Sequence, residues 1–252
     1  MMYNLYIERD SLMHRLDPRV KIFSSLLGIV AVVLFNSPSA LLVIFLSLVI
    51  SLRFLAKITL NEQWKVLKPL TPLMVITMVI WPFILKPPLF GLFVGLGYAL
   101  RLGSLALITF SLLLTTKQRD LILGFIKLKM PYEIGLTLTI ALRYIPTLYA
   151  LTLTIMDAQK SRGLELEKGS FLKRAKNTVP VLVPLIISSI KTAHELSIAL
   201  ESRAFGAGKK RTFLYEIRMG KKDYIALLLV LLLFAVAVIF RYKFGIGYIK
   251  IY

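Results

Sequence analysis

Two short stretches carry the residues best suited to chemistry with a partner: Asp157-Ala-Gln-Lys-Ser-Arg-Gly163 and Ala199-Leu-Glu-Ser-Arg-Ala-Phe-Gly206. Each places one arginine, Arg162 or Arg203, after a serine and just ahead of a residue that can stop a helix. A guanidinium stays charged at any physiological pH and forks onto two acceptors at once, so an arginine at a helix tip suits a carboxylate in a partner's groove. The dipole of the helix also favours an arginine at its C-terminus, by about 0.3–1 kcal/mol. Ordinary capping therefore accounts for one such ending. For two in one segment, with serine before each arginine, capping and docking remain alternatives of equal weight.

Little else in the chain could do chemistry. Cysteine is absent, which excludes disulfides and thiolate metal sites, and His14 and His194 are too few for a histidine-built metal centre. The 13 acidic residues are scattered, mostly among basic loops. No phosphate loop and no nucleophile elbow is present.

The elements that must hold the two arginines are helical and mostly apolar. The stretch from Met130 to about Gly208 reads as two helices of about 30 residues, roughly 45 Å each. Proline at 131 and Glu133 open the first. Leu138, Leu142, Ile145, Tyr149, Thr152 and Met156 recur at four- and three-residue steps along it, and Pro146 falls within that stripe as an expected kink. Glu165, Glu167, Lys168 and Gly169 form a polar turn. The second helix starts near Ser170, is bent early by Pro180 and Pro184, and carries the small residues Ser188, Ser189, Ala193, Ser197 and Ala199. Two long helices with a small face cross closely, which predicts a rigid device with an arginine at each tip.

The rest of the chain belongs to a bilayer. Of 252 residues 57% are hydrophobic, yet the net charge is +19, so apolarity and charge are segregated along the sequence. Apolar runs at Ile22–Phe35, Ala40–Ala56, Leu67–Leu85, Leu89–Thr115 and Tyr224–Phe240 predict five spans, the first of them short. Asn36-Ser-Pro-Ser39 and Lys86-Pro-Pro88 make the turns between them, and Trp64 and Trp81 sit at headgroup level. Asp17 and Pro18 supply an N-cap and first-turn proline to the first span. Gly91 and Gly95, four apart, are expected packing positions against a neighbouring helix. Arg101 lies inside the fourth run, where its charge demands an acidic or carbonyl partner or water. It is either a pathway or partner contact, or a structural pair near an interface.

Of the 32 Lys and Arg, 19 lie between Lys117 and Lys222, which marks that segment as non-translocated. The N-terminus and the insert are then cytoplasmic, and the early charged residues Glu8 to Arg19 argue against a cleaved signal. One inconsistency remains: five spans place the basic tail with Arg241, Lys243 and Lys250 outside, so the tail tolerates this or the count is off by one. The organisation expected is a membrane region over 1–116, a coupling-helix region over 117–221, and a final span and tail over 222–252. A pI near 10.2 raises nucleic acid as a partner, but the apolar runs favour anionic lipid and an acidic protein surface.

The motifs His14-Arg-Leu-Asp-Pro-Arg19, Leu142-Arg-Tyr-Ile-Pro146, Ala158-Gln-Lys-Ser-Arg-Gly163 and Glu201-Ser-Arg-Ala-Phe-Gly206 together resemble the transmembrane coupling (T) component of energy-coupling factor transporters, a branch of the ABC importers for vitamins and transition metals. The resemblance covers almost the whole chain. It implies an all-α integral membrane protein with about five spans and long crossed coupling helices. It implies docking on a pair of ATPase subunits through Ser161, Arg162, Gly163, Ser202, Arg203 and Ala204, with Arg101, Arg143, Pro146, Asp17 and Pro18 in structural or coupling roles. The family's usual tip reads Ala-Arg-Gly; serine replaces the first position at both tips, and Ala204 replaces glycine at the second.

The resemblance further implies a small membrane-embedded substrate-binding subunit as second partner and a cell-membrane location. ATP and magnesium would be held by the partner ATPases, with no cofactor on this chain. The alternatives are an integral-membrane enzyme acting on lipid, a stand-alone secondary transporter, and a basic membrane scaffold without energy coupling. The first wants clustered acids or histidines at one depth, and the second ionisable or broken-helix positions at midplane, where only Arg101 qualifies.

Overall fold

A computed structural model describes residues 6–165, 170–208 and 217–244. Glu167, Lys168, Gly169 and Lys250 of the expected turn and tail lie outside the described residues. Every regular element among those described is helical: α1 (Leu12–Arg15), α2 (Pro18–Leu34), α3 (Pro38–Phe54), α4 (Leu60–Leu67) with a 3-10 turn at Lys68–Leu70, α5 (Thr71–Ile84), α6 (Pro88–Thr115), α7 (Gln118–Lys127), α8 (Tyr132–Ser161), α9 (Phe171–Ser202) and α10 (Lys221–Phe244).

The chain divides into two compact units: one of residues up to 130 together with those from 217 onward, and the other of residues 131–216. The first is built around α6. More than half of its apolar window is buried, at 56%, whereas the windows of the other long apolar helices are buried to only 6%. Glycines let its neighbours approach. A Cβ at Gly91 would come within 2.6 Å of the Pro82 Cα, and one at Gly95 within 2.9 Å of the Met78 carbonyl oxygen, so α5 lies backbone to backbone against α6. The expected packing role of these two glycines is what the α5–α6 crossing uses. On other sides Leu52, Ala56, Ile58, Leu67, Leu107 and Leu114 form one buried cluster, and Val32, Phe35, Leu41 and Ile108 another, with Ala237 of α10 against it.

Five helical segments are long and apolar enough to cross a membrane: Leu60–Ile84, Pro88–Thr115, Tyr132–Ser161, Leu172–Ser202 and Lys221–Lys243. The number matches the sequence expectation, but the membership differs. The first two expected spans form as α2 and α3 with 17 residues each, about 25 Å of helix against a hydrocarbon core of about 30 Å. Both helices of the insert, by contrast, meet the requirement by length and composition.

Local chemistry explains the helix starts. The Asp17 carboxylate accepts the Arg19 backbone N–H at 2.9 Å and Pro18 fills the first turn of α2. Thr59 and Glu62 form a reciprocal capping box on α4, and Glu62 also pairs with Arg9 at 2.8 Å. His14 sits between the Ser11 hydroxyl and the Ile7 carbonyl oxygen. Burial, reinforced by the nearby Lys21 and Arg9 charges and opposed by the Ile7 carbonyl, holds its imidazole below the usual histidine range.

Arg101 finds its partners at the α2–α3 turn. Its guanidinium donates to the Phe35 carbonyl and to the Asn36 side-chain oxygen, the latter at 2.7 Å. It lies 5.2 Å from the centre of the Tyr98 ring, which stacks on Trp81 at 4.8 Å. The charge is thus held by a carbonyl, an amide and an aromatic face at the end of a hairpin.

Candidate functional site: the two arginine-tipped helices

Residues 131–216 form a compact unit of their own. Helices α8 and α9 run antiparallel and touch at both ends. Near the end of α8 the Gln159 amide donates to the Pro180 carbonyl at 3.2 Å and the Asn177 amide to the Glu165 carbonyl at 2.7 Å. At the opposite end the rings of Tyr132 and Phe205 lie 6.5 Å apart. Gly135 and Val181 are buried, and Ile140, Tyr144, Leu196 and Leu200, which line one cleft shared by the two helices, are half-buried.

The apolar stripe read from sequence lies largely off this cleft. Leu138, Ile145 and Tyr149 are exposed, the last two to 60% and 64%. Of the small residues of α9, Ser188 and Ser189 are half-buried while Ala193, Ser197 and Ala199 are exposed. Each helix is therefore apolar on more than one side, and α9 leaves Ile186, Ile187 and Ile190 uncovered as well. Pro146 sits inside α8 without ending it, so the Leu142 carbonyl lacks its helical donor.

The antiparallel course sets the tip geometry. Arg162 caps α8, and Arg203 caps α9 beside the start of α8. The two arginines thus occupy opposite ends of the helix pair, separated by about the length of α8, roughly 45 Å at 1.5 Å per residue.

Both tips end in the same way. At the first, Gly163 (φ +86°) donates to the Lys160 carbonyl at 2.9 Å and Leu164 to the Gln159 carbonyl at 3.0 Å. At the second, Ala204 (φ +55°) donates to Glu201 at 2.9 Å and Phe205 to Leu200 at 3.0 Å. This is the Schellman arrangement, which satisfies two orphan carbonyls and turns the chain sharply. Ala204 adopts the left-handed backbone that its position demands despite its Cβ, so the helix does not run on to Gly206, which is itself left-handed at φ +91°.

Arg162 and Arg203 are exposed, and among the described residues neither guanidinium makes a hydrogen bond or ion pair. The preceding serines are turned inward: Ser161 donates to the Asp157 carbonyl and Ser202 to the Ala199 carbonyl, each at 3.1 Å. Arg143 is exposed too and lines a cleft with Ile140, Tyr144, Thr147, Leu196, Leu200 and Arg203. No group of His, Asp or Glu that could hold a metal ion occurs among the described residues.

Fold and site together define a polytopic all-helical membrane protein carrying a helical hairpin with an exposed arginine at each tip. The family model described as "Cobalt transport protein" matches residues 9–214. The chain is 39% identical to the energy-coupling factor transporter transmembrane protein EcfT of Clostridium kluyveri, over 95% of this chain and 96% of that one. It is 37% identical to the protein of the same name in Acidaminococcus fermentans (94% and 95% covered) and 32% identical to that of Staphylococcus aureus (94% and 96% covered). The chain belongs to this cobalt transport family, as a transmembrane component of an energy-coupling factor transporter. A lipid-acting enzyme and a self-sufficient secondary transporter are not favoured.

Proposed function

We propose that the two tips dock on a pair of ABC ATPase subunits and that the hairpin hands their movement to a small substrate-binding membrane subunit. The supporting observation is the matched pair of ends: two exposed arginines, each on a Schellman-capped helix and each lacking a counter-ion among the described residues. A rigid cap fixes where the arginine leaves the backbone, and a carboxylate in a partner's groove supplies the missing negative charge. ATP and magnesium belong to the ATPases, and this chain contributes no catalytic group. ATP-driven closure moves the two grooves, the hairpin follows, and the substrate-binding subunit on its uncovered apolar faces reorients to release cargo inward.

The charge pattern supports a cell-membrane location with the N-terminus and the tips on the cytoplasmic side. Replacement Arg162→Glu together with Arg203→Glu is expected to leave the protein inserted while abolishing recovery of the ATPases and ATP-driven uptake. Co-purification followed by uptake in proteoliposomes measures both. Full ATPase recovery from the double variant rejects arginine docking.

A further inference from the structure

The insert is joined to the membrane body by two strands of chain, one leaving through α7 and the other returning through residues 217–220. Both are fastened to the same helix turn. On the outgoing side, a Cβ built at Gly124 of α7 would stand 3.2 Å from the Pro18 Cβ and 3.4 Å from the Ile22 Cδ1. The glycine lets α7 lie close against the start of α2, and a small side chain there fits with a shift of a few tenths of an ångström.

On the returning side, the buried Asp223 carboxylate accepts from the Gly220 backbone N–H at 2.8 Å with one oxygen. With the other it accepts from the Asp17 backbone N–H, also at 2.8 Å. Arg19 completes the grip by donating to the Ile217 carbonyl at 3.2 Å. The turn is itself anchored: Lys21, 5% exposed, donates to the Thr115 carbonyl at the end of the central helix α6 and to the His14 carbonyl.

Three consecutive residues, Asp17, Pro18 and Arg19, therefore hold both roots of the insert and connect them to the helix around which the body is packed. A lever transmits force only where its base is held, and a grip that is packed on one root and hydrogen-bonded on the other resists displacement where a solvated loop would yield. We infer that the Asp17–Arg19 turn is a fixed fulcrum: it stays closed through the transport cycle, so that force at the tips acts on the partner subunit instead of dragging the roots through the membrane. Asp17, Arg19 and Asp223 are its positioning residues.

This inference rests on the docking proposal, and the test separates the two. The native chain has no cysteine, so Pro18→Cys with Gly124→Cys gives a clean pair whose 3.2 Å Cβ separation lies close to the roughly 3.5–4.5 Å of a disulfide. In a reconstituted complex the oxidised pair is expected to take up substrate within about twofold of its reduced form. Loss of uptake on oxidation, restored by reductant, shows that the junction opens and overturns the fulcrum. Conversely, Asp223→Ala with Arg19→Ala is expected to retain the ATPases and hydrolyse ATP while uptake falls about tenfold. Normal uptake by that variant also overturns it. If the double variant is not recovered from membranes, Arg19→Ala alone, which removes the bond to the Ile217 carbonyl and the 3.7 Å ion pair with Asp17 from a partly exposed side chain, must shift the uptake-to-hydrolysis ratio in the same direction; an unchanged ratio rejects the inference. Failure of the unmodified complex to hold ATPases through its arginines counts against docking and leaves the cross-linking comparison readable.

Discussion

The two tips perform the same backbone manoeuvre with different residues, and that difference can be measured. Gly163 takes the left-handed position at no steric cost, and a Cβ there would meet nothing within 4 Å. Replacing it with alanine should therefore cost only the conformational penalty, about 1 kcal/mol. Ala204 already bears that penalty. Ala204→Gly should be neutral to stabilising by up to about 1 kcal/mol, because the relief of the left-handed strain is partly offset by the extra freedom glycine gives the unfolded chain. Thermal unfolding in detergent of the two single variants should thus give shifts of opposite sign, or a shift for Gly163→Ala alone. Equal destabilisation by both would mean that the second helix does not end at Ala204. From sequence, the departure from glycine at 204 left the ending of α9 undetermined between Ala204 and Gly206; hydrogen bonds decide it, and sequence spacing does not contain them. The Asp17–Pro18 cap, in contrast, was legible, since its partners lie within two residues. The contact between Asp17 and Asp223 spans 206 positions and leaves no local signal.

At the scale of elements, glycine spacing proved informative and hydrophobic periodicity did not discriminate. Small residues four apart, such as Gly91 and Gly95, have one efficient use in a membrane helix, close approach of another backbone, and α5 fills that place. Gly91→Ala would set a methyl 2.6 Å from backbone atoms of Trp81 and Pro82, which cannot swing aside as a side chain can. It should destabilise the protein by about 1–3 kcal/mol. Gly28→Ala, whose methyl would meet only the mobile end of Ile108 at 3.3 Å, should cost much less. Unfolding of the two variants under identical detergent conditions checks the ranking, and a reversal would mean that α5 does not lie against α6 in this register. The stripe on α8 shows the opposite case. Its period correctly signals a helix, yet Ile145 and Tyr149 point away from α9 because a helix apolar on several sides offers more than one candidate face. Likewise, apolar run length marked α2 and α3 as spans, but their capped ends leave only 17 residues each.

Considered as a whole, the tip device depends on a length. Since α8 and α9 are antiparallel, the separation of Arg162 and Arg203 follows from the number of residues in the arms, about 1.5 Å for each. A motor with two grooves a fixed distance apart tolerates changes of sequence in the arms far better than changes of their length. Inserting seven helix-forming residues after Ala150 and seven after Ser189, positions opposite one another in the pairing, adds two turns to each arm. The tips then stand about 10 Å further apart, while seven residues, close to two turns, nearly preserve which faces meet. Every native residue is kept, including both arginines, both caps and the apolar faces on either side of the insertions. If the tips must engage two grooves at once, this lengthened hairpin should still capture an ATPase subunit through one tip but lose ATP-driven uptake. The same seven residues placed in only one arm would also break the pairing that Gln159 and Tyr132 hold at the two ends, and so serve as the disrupted control. Uptake at the normal rate with both arms lengthened would show that the arginines act independently and that their spacing carries no mechanical information.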